Sequence, residues 1–229
     1  MNNLLNKILL ADGGPDSLSV VISARSGSGK TTLITKLIDD SLKLPQFKET
    51  RFIYVSVKME HYFGDTVEPV SDLQSLRQQI KKNQLGIFYP TDPANYENDV
   101  DELIEMVFAL SNQNSKSNFT IIVDDCNILT GFDNRGHPSP SMKKAVIAGR
   151  SKRIKLITIT HRLANLPRLM NGNISGLLLM NMNAMDSDYG QKIYGLDFEE
   201  LITGLSDYRW AFVDLLTENI EKYNPVKIS

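Results

Sequence analysis

Apolar residues fall at two spacings along the chain, and the switches between them predict its elements. Leu4, Leu5, Ile8 and Leu9 share one helical face, so residues 2–10 read as a short amphipathic helix. Asp12-Gly13-Gly14-Pro15 breaks it. Leu18 to Ala24 (LSVVISA) is a β-branched run suited to a buried strand. A helix starts near Lys30, turns Leu33, Ile34, Leu37 and Ile38 inward, and stops before Pro45. Arg51 to Val57 predicts a second strand; Leu73, Leu76 and Ile80 mark a helix ending near Lys82; Gly86 to Tyr89 is a short strand. Val100, Leu103, Ile104, Val107 and Phe108 give a clear helix. After a polar connector, Phe119 to Val123 is again a buried strand. A Gly/Pro-rich loop from Thr130 to Pro140 leads to a helix around Met142–Gly149 and the strand Ile154 to Thr160. Ile174 to Met180 and Tyr208 to Leu215 supply two more strands, in which Tyr208, Trp210 and Phe212 alternate as packing residues.

Strands alternating with helices predict an α/β fold with a mostly parallel sheet covered on both faces. The 229 residues suit one domain of this kind, over 18–229, with a strand-rich C-terminal extension and a short helix and linker over 1–17. The formal net charge of −2 excludes a wholly basic nucleic-acid coat, so any nucleic-acid contact needs a local patch. The single cysteine, Cys126, excludes an internal disulfide framework and suits a reducing compartment. No basic leader precedes the N-terminal apolar stretch, and no apolar run approaches the ~20 residues of a membrane span. A cytosolic protein without a span is expected.

Chemistry concentrates in four places. Ala24-Arg25-Ser26-Gly27-Ser28-Gly29-Lys30-Thr31-Thr32 sits between a buried strand and a helix, where a phosphate-binding loop belongs. Gly27 and Gly29 let backbone N–H groups converge on phosphate oxygens, Lys30 reaches the β/γ-phosphates, and Thr31 offers a hydroxyl to Mg²⁺. Ala24 replaces the usual first glycine, a mild departure because alanine is small. ATP and Mg²⁺ are the cofactors this pattern implies.

The strand 119–123 ends in Asp124 and Asp125. A carboxylate for the metal shell followed by one that polarises water fits Asp124 and Asp125 respectively. The strand 154–160 ends in Thr160-His161-Arg162, where either Thr160 or His161 can sense the γ-phosphate. Six basic residues (Lys143, Lys144, Arg150, Lys152, Arg153 and Lys155) fall within thirteen positions. They serve phosphates, of DNA or of a neighbour's ATP, or they form a plain solvated face. In a ring, Arg150 is the first candidate for an arginine finger acting in trans and Arg153 the second. His61, His137 and Cys126 have no ligand-like spacing.

These residues, with Gly149-Arg150 preceding the Thr160-His161-Arg162 strand end, resemble the FtsK–HerA superfamily of P-loop ATPases. The small size and the ending SDYRWAFVDLL are similar to genome-packaging ATPases of double-jelly-roll and poxvirus-like DNA viruses. The resemblance covers residues 18–216. It implies a RecA-like sheet in which one strand separates the acid-bearing strand from the P-loop strand. It further implies a homo-oligomeric ring, a hexamer first, with ATP between subunits and double-stranded DNA in the pore. Capsid vertex proteins are further partners on this reading, and the host cytoplasm or the virion is the location. His161 stands where the family generally has glutamine, and Asp125 is one methylene shorter than the glutamate of many relatives. The loop 130–140, with Phe132 and Arg135, is a pore-facing segment or a surface loop.

The leading function is an ATP-driven motor that packages DNA. The alternatives are an ATP-dependent switch or assembly factor that recruits a partner without moving DNA, and a nucleoside or small-molecule kinase. Asp125 speaks against the kinase, which has no need to activate water.

Overall fold

The computed structural model describes all residues except 1, 13, 15–18, 59–62, 64–66, 115, 130–137, 206, 207 and 227–229. Most of the loop 130–140, with Phe132 and Arg135, and the histidines His61 and His137 lie outside the described residues.

Eight strands form one sheet in the order β3-β2-β4-β5-β1-β6-β7-β8. They are β1 (Ser19–Ser23), β2 (Thr50–Val55), β3 (Leu85–Phe88), β4 (Asn118–Val123), β5 (Ile154–Thr160), β6 (Ile174–Leu179), β7 (Trp210–Asp214) and β8 (Asn219–Tyr223). The first six are parallel; β7 runs antiparallel to β6, and β8 antiparallel to β7. β5 lies between β4 and β1, so the acid strand and the P-loop strand are one strand apart.

Alternation along each strand sends side chains into two cores. On β1, Val21 faces one core while Val20 and Ile22 face the other; on β4, Ile121 and Val123 oppose Ile122. The first face is covered by α3 (Leu73–Lys82), α4 (Tyr96–Gln113), α6 (Pro140–Ala148) and α9 (Phe198–Ile202). The second is covered by α1 (Asn2–Leu9) and α2 (Lys30–Leu42). Full burial on both sides explains why β1, β4, β5 and β6 are rich in apolar residues without a strict polar alternation, the polar side chains within them being buried as well.

Helix α1 is held by more than its apolar stripe. Thr120 donates to the Leu9 carbonyl at 2.6 Å, the buried Lys155 donates to the Lys7 carbonyl, and Lys7 pairs with Asp214. Lys155 is fully buried here, so it does not belong to the exposed basic run in which the sequence places it. Its stem lies within the sheet while its ammonium finds a helix C-terminus, where carbonyls lack partners.

Besides short 3-10 turns, five elements were not anticipated, two of them the four-residue helices α5 (Cys126–Leu129) and α7 (Arg168–Asn171). The helices α8 (Ala184–Tyr194) and α9 lie in a segment of scattered polar residues, and β8 is exposed along almost its whole length, so none carries a strong apolar period. Trp210 and Phe212 pack in β7 as expected, but Tyr208 lies outside the strand and is exposed. Among the described residues, no helix is long and apolar enough to cross a membrane.

Candidate nucleotide site

In a parallel sheet the strands end together, and here β1, β4 and β5 deliver their C-terminal loops to one cavity of about 560 Å³. The loop after β1 is tied down before it turns. Ala24 N–H donates to the Thr160 carbonyl at 3.3 Å, and Arg25 N–H to the Asn181 carbonyl at 2.8 Å. Gly27 and Gly29 take φ values of 74° and 85°, left-handed conformations that carry the chain round into α2. The first-turn N–H groups of α2 thereby face the cavity, a ready site for an anion. Ser26, Gly27, Gly29, Lys30, Thr31 and Thr32 line it.

The Lys30 ammonium is buried and donates to the Ala24 and Arg25 carbonyls at 2.8 and 2.9 Å. Burial lowers its pKa to about 8, while Asp124 and Asp125 pull it upward.

Asp124 and Asp125 follow β4 and have different partners. Asp124 accepts from the Tyr54 hydroxyl at 2.6 Å, from the Thr31 hydroxyl at 3.2 Å and from Asp125 N–H at 2.9 Å. Burial and the Asp124 charge push the Tyr54 hydroxyl's pKa well up, so it stays a donor. The Thr31 hydroxyl and the Asp124 carboxylate thus converge as two hard oxygen ligands, which fits Mg²⁺ completed by phosphate oxygens and water.

Asp125 is turned by a left-handed φ of 48°, uncommon for a non-glycine residue. One oxygen lies 2.9 Å from the Lys58 ammonium. The other lies 2.7 Å from His161 Nε2, off the line of an ideal hydrogen bond. His161 Nδ1 is in turn 3.0 Å from the Lys30 ammonium. Lys30 has only protons to give, so Nδ1 accepts and the ring proton faces Asp125 from Nε2.

Of the two sensor candidates at the end of β5, His161 faces the cavity. Thr160 is occupied in the turn: its hydroxyl accepts from Asn127 Nδ2 and Arg162 N–H and donates to the Arg162 carbonyl. The fold therefore brings Lys30, Thr31, Asp124, Asp125 and His161 together. It does not bring Arg150, which precedes the opposite end of β5, about 20 Å away for a seven-residue strand. Any role for Arg150 in phosphate chemistry needs a second subunit's site.

Tyr54, Lys58 and Tyr208 were missed. A tyrosine in a buried strand must find a partner for its hydroxyl, which was a usable sign for Tyr54. Lys58 and Tyr208 lie in irregular segments whose approach to the cavity no local pattern gives.

The strand order and the loop between β1 and α2 define a P-loop ATPase fold. The fold is similar to the genome packaging NTPase B204 from Sulfolobus turreted icosahedral virus 2 in complex with AMPPCP: TM-score 0.75, 17% identity, 93% of this chain and 99% of that chain. The DNA-packaging ATPase B204 from Sulfolobus turreted icosahedral virus aligns with TM-score 0.67 and 19% identity, over 92% of this chain and 98% of that one. VirB4 of Thermoanaerobacter pseudethanolicus aligns with TM-score 0.64 and 9% identity, over 92% and 89%. No protein-family model matches the sequence, and no curated protein matches it.

Proposed function

We propose that the chain hydrolyses ATP and uses the cycle to translocate double-stranded DNA, packaging a viral genome into a capsid. The observation that carries the hydrolytic part is Asp125: a buried carboxylate between His161 and Lys58, in the same cavity as Lys30. Lys30 and the α2 N-terminus bind the phosphates and offset their charge. Asp125 accepts a proton from water as that water attacks the γ-phosphorus and the bond to the β-phosphate oxygen breaks. His161 orients Asp125 and is placed to register loss of the γ-phosphate through its second contact with Lys30. Thr31 and Asp124 are the residues that would hold Mg²⁺, which would supply further charge neutralisation when bound.

Likeness in fold to viral genome-packaging ATPases supports the motor reading. Lys143, Arg150, Lys152 and Arg153 form an exposed basic surface on a chain of net charge −2, which supports a phosphate-bearing partner. On this reading the working form is a homo-oligomeric ring, taken as a hexamer. Arg150 reaches a neighbour's ATP, DNA passes through the pore and capsid vertex proteins dock the ring. Its place is the host cytoplasm or the virion.

The test is the ATPase rate with and without double-stranded DNA, alongside the mass of the assembly with ATP. DNA-stimulated turnover that disappears in Lys30→Ala and Asp125→Asn is expected. Unchanged hydrolysis in both variants would sink the site; a monomer whose turnover ignores DNA would replace the motor by an ATP-dependent switch.

A further inference from the structure

The cavity that contains Lys30 and the two acids continues past the α2 N-terminus, where its lining becomes apolar: Met180, Tyr208, Trp210, Pro225 and Val226. At about 560 Å³ it lies within the range of small-molecule sites and has room for more than phosphate.

Tyr208 is the unusual member of this wall. It is 61% exposed, and its φ of 64° is one that an aromatic residue rarely adopts. Such a conformation persists where the surroundings hold it, and it is found preferentially at ligand sites. Its ring lies against the start of α2: a Cβ added to Gly29 would meet Tyr208 Cδ1 at 3.1 Å and Met180 Cε at 3.8 Å. Behind it, Trp210 is buried and stacked on Tyr223, with centroids 4.2 Å apart and planes at 15°. Trp210 Nε1 donates to the Asn224 carbonyl at 3.1 Å, which fixes the tail bearing Pro225 and Val226 to the same wall. A second space beside the loop, where Arg25, Ser26, Ser28 and Asn181 join Tyr208, is polar.

A nucleotide whose phosphates lie at Lys30 has an aromatic base to place nearby, and the apolar half of the cavity is the surface that matches it. We infer that the base stacks on Tyr208, with Met180 and the Pro225–Val226 tail closing the slot; this rests on the nucleotide reading of the P-loop. The slot reads the base poorly. Trp210 Nε1 is already engaged, and Met180, Pro225 and Val226 have no strong side-chain hydrogen-bonding group. Stacking tolerates every base, so ATP and GTP bind with affinities within a few-fold of each other.

The experiment measures binding of ATP, GTP and inorganic tripolyphosphate to the wild type, Tyr208→Phe, Tyr208→Ala and Lys30→Ala by calorimetry. Tyr208→Ala is expected to weaken ATP and GTP alike by roughly tenfold, and tripolyphosphate by less than twofold. Tyr208→Phe keeps wild-type affinity. Lys30→Ala weakens all three ligands. Should Tyr208→Ala bind ATP as the wild type does while Lys30→Ala does not, the base site is overturned and the phosphate site stands. Strong preference of the wild type for one base overturns the stacking account. Absence of both ATP and tripolyphosphate binding in the wild type overturns the P-loop reading and the base site with it.

Discussion

The His161 imidazole spans the two halves of the phosphate site, with Nδ1 3.0 Å from the Lys30 ammonium and Nε2 2.7 Å from the Asp125 carboxylate. One ring thereby links the loop after β1 to the acid after β4, across β5. Glutamine has one amide donor group and one acceptor, so it can make the same pair of contacts. His161→Ala is expected to lower kcat roughly tenfold to a hundredfold while ATP affinity changes little. His161→Gln should retain most of the activity. Single-turnover hydrolysis beside equilibrium binding separates the two effects, and wild-type turnover in His161→Ala would remove the histidine from the mechanism.

Tyr54 gives a second test. Its hydroxyl is buried and donates to Asp124 at 2.6 Å, a charge-assisted hydrogen bond. Tyr54→Phe leaves the ring's edge contact with Phe63 and removes the hydroxyl with its bond to Asp124. Loss of about 1–2 kcal/mol in urea unfolding is expected, together with a higher Mg²⁺ requirement for hydrolysis. A variant as stable as the wild type would mean that Asp124 is satisfied without it.

The sequence made the sheet legible because its central strands are buried on both faces and bounded by turn residues. The turn between β1 and α2 was legible because glycine, lysine and threonine have few reasons to occur in that order other than between a strand and a helix. The acid pair followed from its position at a strand end. What stayed hidden depends on contacts far apart in the chain. Lys155 looked like one more surface cation until α1 was seen to cover it. Tyr208 fitted a period-two strand pattern that in fact begins two residues later.

Gly149 is a case in which packing, not catalysis, explains a residue of the resemblance. Its N–H donates to the Ala145 carbonyl at 3.0 Å, and its own carbonyl accepts from Ile154 N–H at 2.9 Å. A Cβ there would lie 2.3 Å from the Ala145 oxygen and 2.7 Å from the Ile154 oxygen, both backbone atoms that cannot swing aside. Gly149→Ala should cost about 1–3 kcal/mol or more, seen as a lower denaturant midpoint. Gly172→Ala, where a Cβ meets nothing within 4 Å, should stay within about 0.5 kcal/mol.

The Lys7–Asp214 pair predicts a pH dependence. Burial pushes the Asp214 pKa up, but hydrogen bonds from Lys7, Thr217 and Leu216 outweigh it and hold the carboxyl below its ordinary value. A folded-state pKa below the unfolded one gives stability that is fully present above the unfolded value, about pH 4. It is lost as the pH falls through the folded value. Urea unfolding at pH 5, 4 and 3 should therefore show a steeper decline for the wild type than for Lys7→Ala. Parallel declines would show that α1 is held by its apolar face and by Thr120 and Lys155 alone.

Strand β5 has His161 just past one end and Arg150 just before the other, separated by a span of hydrogen-bonded backbone paired on both edges. A central strand of this kind neither stretches nor bends appreciably. It acts as a ruler: a displacement of the phosphate-contacting end reaches the basic end as a rigid shift of the same size. In the proposed ring, the distance from one subunit's γ-phosphate to the arginine presented to its neighbour is then set by seven residues of sheet, and successive sites would be kept in step by length alone.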